Sequence, residues 1–145
     1  MSPSPPSPRG PPPQTVEIVI EVPRGGWLKP SSTGELDYVS PLPCPFNYGC
    51  VPALPSGDGD PLDAVLLGPS RARGHRQQAR VWGIVRFLDA GQIDDKLICA
   101  QHPPTRRQRW LVSSFFTVYA RAKGALNRLR GRHGPTRMLG LELIE

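Results

Sequence analysis

Proline most limits the regular structure that this chain can form, because 19 of its 145 residues are proline. Seven of them fall in the first 13 positions, where the ring fixes φ and removes the N–H that helices and sheets need. We therefore predict a disordered proline-rich tail over residues 1–14 and one domain over residues 15–145. The other 12 prolines predict turns between short strands, most clearly in residues 27–57, which hold six of them.

The apolar residues of the domain follow two different periods. Residues 15–22 read TVEIVIEV, in which every second position is apolar, as in a half-buried strand. From about residue 109 to residue 130 the spacing becomes that of an amphipathic helix, which Gly131 and then Gly134 and Pro135 would end. Further strands are predicted at 64–67, 79–87, 96–100 and around Leu139, Leu141 and Leu143. Many short strands with one long helix indicate a small β-barrel or an α+β domain.

Composition and charge exclude several classes of protein. No run of 18 apolar residues exists, so we expect no membrane span, and the N-terminus lacks the apolar stretch of a secretory signal. The three cysteines lack CxxC spacing, which argues against a disulfide framework or a zinc ribbon and favours reduced thiols in the cytoplasm. The net charge of +6 is uneven, since residues 101–145 hold nine basic and two acidic groups. A near-neutral body therefore bears a basic C-terminal third.

The segment DGDPLD is the clearest candidate for chemistry. It places Asp58, Asp60 and Asp63 within six residues, in a turn directly before a predicted buried strand. Carboxylates so close together repel one another unless a cation or hydrogen bonds compensate them. Oxygen ligands of this kind suit a hard divalent ion, above all Mg²⁺. The alternative is an exposed acidic turn without a ligand.

A second acidic turn, LDAGQIDDK, lies between two further predicted strands. Its Asp89 and Asp94, together with Glu21 at the end of the first strand, could meet the DGDPLD carboxylates at one end of a barrel. These six residues are half of the 12 acidic groups in the chain. Such a cluster would require metal ions and would leave phosphate oxygens as natural bridging ligands.

The motifs occur in an order that resembles a known family. The chain reads VIEVP, then Lys29, FNYG, DGDPLD, LDxxxxDDK and FFxxY, and this order is similar to that of the family I soluble inorganic pyrophosphatases. The resemblance covers roughly residues 16–123. It implies an α+β fold that is mainly β, namely an OB-like five-stranded β-barrel with a packed C-terminal helix. It also implies Mg²⁺-dependent hydrolysis of pyrophosphate to two orthophosphates by a homo-oligomeric enzyme. We expect no membrane binding, and nucleic-acid binding is the less favoured alternative.

The resemblance assigns a role to each of the six carboxylates. Asp58, Asp63 and Asp94 would hold a tightly bound Mg²⁺, and Asp63 would also touch a second ion. Asp89 and Asp94 would bind the ions that arrive with pyrophosphate, and Glu21 would act mainly through bound water. Asp60 would be the general base for the attacking water, which metal ions make more acidic.

The resemblance also implies four groups around the phosphates. Lys29 and Lys96 would contact phosphate oxygens, Tyr119 would donate a hydrogen bond, and Tyr48 would orient the groups near the attacking water. Each has a simpler alternative. Tyr119 would be a core residue, Tyr48 would cap a turn, Lys29 would be a surface lysine, and Lys96 would form a local ion pair.

The chain departs from the family pattern where the phosphates are expected to bind. Ser31 and Ala90 stand where acidic residues are expected, Ala120 stands where a lysine is expected, and no arginine lies near Tyr38. A tyrosine is expected at Cys44, and the usual additional C-terminal helix does not follow. We hypothesise that Lys123, four residues after Tyr119 on the same helix face, supplies part of the missing charge together with Arg121; Arg24 is a further candidate.

Two other classes of function remain open from the sequence. A divergent relative would bind metal or phosphate without hydrolysing pyrophosphate. A nucleic-acid-binding module would use the basic C-terminal third, that is Arg106, Arg107 and Arg109 beside Trp110, followed by Arg128, Arg130 and Arg132. The simplest explanation of that basic stretch is a solvated helix face.

Overall fold

A computed structural model describes residues 13–26, 43–56 and 59–144 of the chain. In chain order it contains β1 (Thr15–Val22), β2 (Asn47–Pro55), β3 (Pro61–Leu66), β4 (Arg76–Asp89), β5 (Gln92–Ile93), β6 (Lys96–Ala100), α1 (Arg106–Leu129) and β7 (Arg137–Leu143). The first, second, third, sixth and fourth strands follow one another in the sheet in that order. Strand β1 pairs with both β2 and β4, so these five strands close into a barrel.

The barrel has one parallel strand pair, and this pair brings the two acidic segments together. Strands β3 and β6 run parallel, with Asp63 opposite Lys96. The other strand pairs are antiparallel, and β7 pairs with the second half of β4. The prediction of an OB-like five-stranded barrel that is mainly β, with a packed C-terminal helix, is confirmed.

Apolar residues form two separate layers. One fills the barrel and includes Ile18, Ile20 and Leu66; the other lies between the barrel and α1 and includes Phe46, Phe87 and Phe116. Strands β3 and β6 contribute to both layers, because successive side chains point to opposite faces of a strand. This explains why residues 64–67 and 97–100, which follow Asp63 and Lys96, are apolar without interruption.

Helix α1 begins with a capping box. The Thr105 hydroxyl accepts the Gln108 N–H at 3.1 Å, while the Gln108 side chain accepts the Thr105 N–H at 2.9 Å. The helix therefore starts at residue 106, three residues before the prediction from apolar spacing. It ends at Leu129, and Gly131 follows with φ +73°, as the predicted glycine stop requires.

The strands agree with the predictions apart from their ends. Strand β3 begins at Pro61 rather than at residue 64, because Leu62 and Asp63 pair with β2. Strand β4 begins at Arg76 rather than at residue 79, because its polar first residues pair with β1. The turns between these strands are therefore shorter than predicted. Asp63 lies within β3 and Asp89 at the end of β4, rather than in turns.

Several predicted residues lie outside the described part of the chain. They are most of the proline-rich tail, residues 27–42 with Lys29, Ser31 and Tyr38, and the pair 57–58 with Asp58. Gln14, at the end of the predicted tail, is described, and its carbonyl accepts the Val81 N–H at 2.8 Å. Among the described residues, no helix is long and apolar enough to cross a bilayer.

Candidate active site

The ammonium of Lys96 joins the two acidic segments. Its side chain has no exposed surface, and Nζ lies 3.2 Å from Asp63 Oδ2 and 3.0 Å from Asp94 Oδ2. A further hydrogen bond of 3.1 Å runs from Nζ to the Asp94 carbonyl. Asp63 comes from the neighbouring parallel strand and Asp94 from the residue two positions before Lys96. Lys96 is therefore more than part of a local ion pair, and it connects β3 to the loop before β6.

Aromatic rings surround this ammonium on its other side. Nζ lies 5.1 Å from the ring centre of Phe87, 5.9 Å from that of Phe116 and 6.0 Å from that of Tyr48. Burial by itself would lower the pKa of Lys96, but the charges of Asp63 and Asp94 raise it above its ordinary value. The group remains an ammonium at neutral pH, with ring faces that attract a cation.

The negative charge of Asp94 is destabilised by burial and by neighbouring carboxylates. Burial raises its pKa to about 6, Lys96 opposes that shift, and the charges of Asp63 and Asp89 add to it. The three aspartates are thus close enough to repel one another. A divalent cation would relieve this repulsion, and an all-oxygen donor set is the kind that Mg²⁺ prefers.

Tyr48 is buried in β2 and donates a hydrogen bond to Asp63. Burial, and then the charge of Asp63, raises its pKa well above the ordinary value, so the phenol keeps its proton. Its place at the start of β2 depends on Asn47, whose Oδ1 accepts N–H groups from Arg24 and Arg71 at 3.0 and 2.8 Å. Tyr48 is therefore a strand residue that touches the acidic cluster, rather than a turn cap.

Glu21 approaches the same end of the barrel from β1. The pairing of β1 with β2 is irregular between Ile20 and Val22, so the residue between them lies at a bulge. Partial burial, followed by the charge of Asp63, raises the pKa of Glu21, and its carboxyl is hydrogen-bonded to the Cys50 thiol. Glu21 therefore lies within electrostatic reach of Asp63, the last carboxylate of the DGDPLD segment.

Asp89, the last residue of β4, faces helix α1. Its Oδ1 accepts a hydrogen bond of 2.8 Å from Asn127, and its Oδ2 lies 3.8 Å from the Nζ of the buried Lys123. Lys123 thus points toward Asp89. Arg121 is exposed, and the guanidinium of Arg24 donates to the Gly68 carbonyl at 3.1 Å.

Tyr119 and Asp60 occupy contrasting surroundings. Tyr119 is buried, with its ring centre 5.6 Å from that of Phe87 and 5.7 Å from that of Phe116, so it belongs to the aromatic layer. Asp60 is exposed in the bend before β3, where its carbonyl accepts the Ser56 N–H at 2.7 Å. Lys29 and Asp58, which the resemblance places beside them, are not among the described residues.

The described residues do not form a complete metal cage by themselves. Within 13–26, 43–56 and 59–144, no three histidine, cysteine, aspartate or glutamate side chains are placed to hold one metal ion together. The carboxylates of Asp63 and Asp94 both lie beside the Lys96 ammonium, and Asp58 belongs to the part of the loop that is not described. The type of donor and the mutual repulsion of Asp94 with Asp63 and Asp89 fit a hard divalent cation.

Sequence reasoning missed three buried polar residues that shape this end of the barrel. They are Asn47, Asp95 and Asn127. Asp95 accepts the Phe87 N–H at 3.1 Å and pairs with Arg86 at 2.7 Å, so it supports the strand. The only sequence signal was the doublet of Asp94 and Asp95, which does not say which of the two faces the site.

The sequence model of one family, described as inorganic pyrophosphatase, matches residues 18–131. The chain belongs to this family. The match includes β1 from residue 18 onward, strands β2 to β6 and the whole of α1, so it contains each of the site residues described above.

Individual relatives agree with this assignment. The chain is 36% identical over 92 residues to the inorganic pyrophosphatase of Neisseria meningitidis, covering 58% of this chain and 52% of that protein. It is also 36% identical over 107 residues to the soluble inorganic pyrophosphatase of Oryza sativa, covering 67% of this chain and 50% of that protein. The chain thus spans about half the length of these relatives.

A solved structure shows the same fold. The inorganic pyrophosphatase from Thermus thermophilus superposes with a TM-score of 0.66 at 27% identity, covering 90% of this chain and 83% of that one. Because 90% of this chain is covered, the likeness extends over most of the fold described above.

Proposed function

We propose that this chain is a hydrolase that converts pyrophosphate to two orthophosphates and depends on Mg²⁺. The contact of Asp63 and Asp94 with one fully buried ammonium, that of Lys96, supports the proposal most directly. Carboxylates suited to metal ions and a cation suited to a phosphate oxygen thus lie at the same end of the barrel, which supports the proposal. Membership of the inorganic pyrophosphatase family supports the choice of substrate.

The proposed metal ligands are Asp58, Asp63, Asp89 and Asp94, with Glu21 acting through water. Bound Mg²⁺ would acidify the attacking water and neutralise charge on the departing phosphate. Asp60, exposed before β3, accepts the proton of that water as general base. Tyr48 holds one oxygen of Asp63 through its phenol, and thereby orients that carboxylate.

The proposed substrate contacts are cationic and phenolic. Lys29 binds a phosphate oxygen, and Lys96 binds one by giving up one of its contacts with Asp63 or Asp94 when the substrate enters. Tyr119 donates a hydrogen bond from the aromatic layer. Lys123 lies on the same face of α1 and supplies positive charge that Ala120 does not. Ion pairs of this kind are strong only where water is excluded, as it is around Lys96 and Lys123.

Phosphate release from pyrophosphate tests this function. With Mg²⁺ the wild-type protein is expected to release phosphate, and Asp60→Asn is expected to lower the rate by roughly 10²–10⁴-fold. Glu17→Gln is the matched control, because Glu17 pairs with Arg76 on the barrel surface at 3.1 Å. Metal binding without phosphate release would instead identify a non-catalytic relative.

We also propose a homo-oligomer in a reducing compartment such as the cytoplasm. All three cysteines are free thiols, which is typical of such a compartment. Leu139 and Leu143 of β7 are about half exposed, at 53% and 51%, and would suit contact with another copy. Sedimentation of the purified protein measures the assembly.

A further inference from the structure

The turn that follows β4 is held by residues from the end of helix α1 and the segment after it. Ala90 and Gly91 form this turn, and Ala90 has φ +50°, which is uncommon for a residue with a side chain. The Ala90 N–H donates to Thr136 Oγ1 at 2.9 Å, and the Gly91 N–H donates to the Pro135 carbonyl at 2.8 Å. Two consecutive N–H groups of the turn are thus bound by residues more than 40 positions away in the chain.

Asn127 connects this turn to the carboxylate of Asp89. It is a buried polar residue with 2% of its surface exposed. Its Nδ2 donates to Asp89 Oδ1 at 2.8 Å and to Thr136 Oγ1 at 2.9 Å. Both N–H hydrogens of the amide therefore form hydrogen bonds. One acceptor is the carboxylate of Asp89, the residue before the turn, and the other is the Thr136 hydroxyl, which also accepts the Ala90 N–H. We call Asn127, Thr136 and Pro135 the clamp.

The two carboxylate oxygens of Asp89 have different partners. Oδ1 carries the hydrogen bond from Asn127, whereas Oδ2 lies 3.8 Å from Lys123 Nζ, beyond hydrogen-bond distance. Asp89 is the only acidic residue between Phe87 and Ile93, so the orientation of the turn decides where this single charge points. Its charge also reaches Asp94, 5 positions along the chain.

We propose that Asn127 is a positioning residue that orients Asp89 toward the divalent cation, and that Thr136 supports it by fixing both the amide and the turn. The proposal rests on the proposed function, in which Asp89 is a metal ligand. Partners that hydrogen-bond a ligating carboxylate from outside the coordination shell typically contribute 10–100-fold to metal affinity. Asn127 stands in that relation to Asp89 Oδ1.

A purely structural role is the competing explanation. In that case the clamp would only join the end of α1 to the barrel, and its loss would lower the free energy of unfolding without changing metal affinity in the folded protein. Thermal unfolding midpoints therefore need to be measured beside metal affinity, at a temperature where every variant is folded.

The experiment is a double-mutant cycle on Mn²⁺ binding. Electron paramagnetic resonance measures free Mn²⁺ in the presence of inorganic phosphate for wild type, Asn127→Leu, Asp89→Asn and the double variant. We expect Asn127→Leu to weaken the Mn²⁺ sites that require Asp89 by about 10-fold or more. In the Asp89→Asn background the same change should have no further effect, because the amide would then act on nothing that binds the metal.

Thr136 provides a second and gentler pair of variants. Thr136→Val keeps the shape but removes the oxygen that accepts from Ala90 and Asn127, whereas Thr136→Ser keeps that oxygen. We expect Thr136→Val to weaken Mn²⁺ binding and Thr136→Ser to restore it. If Asn127→Leu does not fold, the comparison of Thr136→Val with Thr136→Ser tests the positioning role instead.

Two results would overturn the proposal. One is unchanged Mn²⁺ affinity in both Asn127→Leu and Thr136→Val; the other is Mn²⁺ binding by Asp89→Asn equal to that of wild type. If the wild type releases no phosphate from pyrophosphate but the cycle shows coupling, the proposed function fails and the positioning role stands.

Discussion

At the scale of single residues, Lys96 has the most demanding surroundings. Its ammonium has no exposed surface, while its partners Asp63 and Asp94 are 32% and 31% exposed. Removing one partner of a buried ion pair costs about 3–5 kcal/mol, because it leaves a buried charge without compensation. The partial exposure of the two aspartates lowers that cost, since water can solvate them.

We predict that Lys96→Met lowers the free energy of unfolding by about 2–3 kcal/mol, because two neighbouring carboxylates lose their shared cation. Urea unfolding in the absence of divalent ions measures the difference. Arg76→Met is the matched control: it removes an ion pair with Glu17 whose members are 61% and 46% exposed. Such exposed pairs contribute about 0–1 kcal/mol. Equal effects of the two changes would contradict our account of the site.

At the scale of elements, the segment between α1 and β7 is as important as the strands it joins. Gly134 has φ +102° and lies against the turn after β4. A Cβ added there would lie 2.6 Å from the Ala90 carbonyl oxygen and 2.9 Å from the Gly91 nitrogen. Glycine is therefore required by space as well as by φ, since neither backbone atom can move without moving the turn.

We predict that Gly134→Ala destabilises the protein by roughly 1–3 kcal/mol more than Gly131→Ala, because it adds a steric clash to the backbone strain. Gly131 also has positive φ, at +73°, but a Cβ there meets nothing within 4 Å, so this substitution isolates the strain. Thermal or urea unfolding of both variants gives the comparison. A Gly134→Ala variant as stable as Gly131→Ala would show that the turn adjusts freely.

At the scale of the whole molecule, a cluster of carboxylates lies within a chain that is otherwise strongly basic. Asp63, Asp89 and Asp94 gather at one end of the barrel, whereas the last 45 residues hold nine basic and two acidic groups. Without the six predicted site carboxylates, the rest of the chain would carry +12. A positive frame around a group of carboxylates suits a site that takes metal ions together with a polyanion.

The boundary of the domain gives a further prediction for the whole molecule. Deleting residues 2–12 should change the free energy of unfolding by less than about 0.5 kcal/mol, as the sequence prediction of a disordered proline-rich tail requires. Deleting residues 2–16 should cost roughly 1.5–3 kcal/mol through the loss of the buried Val16. That second deletion also removes the pairing of Thr15 with Arg80 and the Gln14 carbonyl that accepts the Val81 N–H. Urea unfolding compares them, and a destabilised first deletion would refute the predicted tail.

Most of the fold was predictable because it follows from local patterns. The alternation in β1 and the 3.6-residue period in α1 each record which side of an element is buried. Element ends were less predictable. Strand β4 extends to Arg76 because β1 supplies hydrogen-bond partners for its polar residues. No local pattern in Arg76, Gln77 or Gln78 predicts a strand.

The sequence by itself determined the two acidic segments, the strand pattern and the long helix, because each depends on neighbouring residues. Only the tertiary structure decided which polar groups meet. Asp94 and Asp95 are adjacent, yet Asp94 contacts Lys96 whereas Asp95 contacts Arg86, because successive residues of an extended chain point in opposite directions. Asn127 reaches Asp89 across 38 positions because α1 packs on the barrel, a contact that no local pattern records.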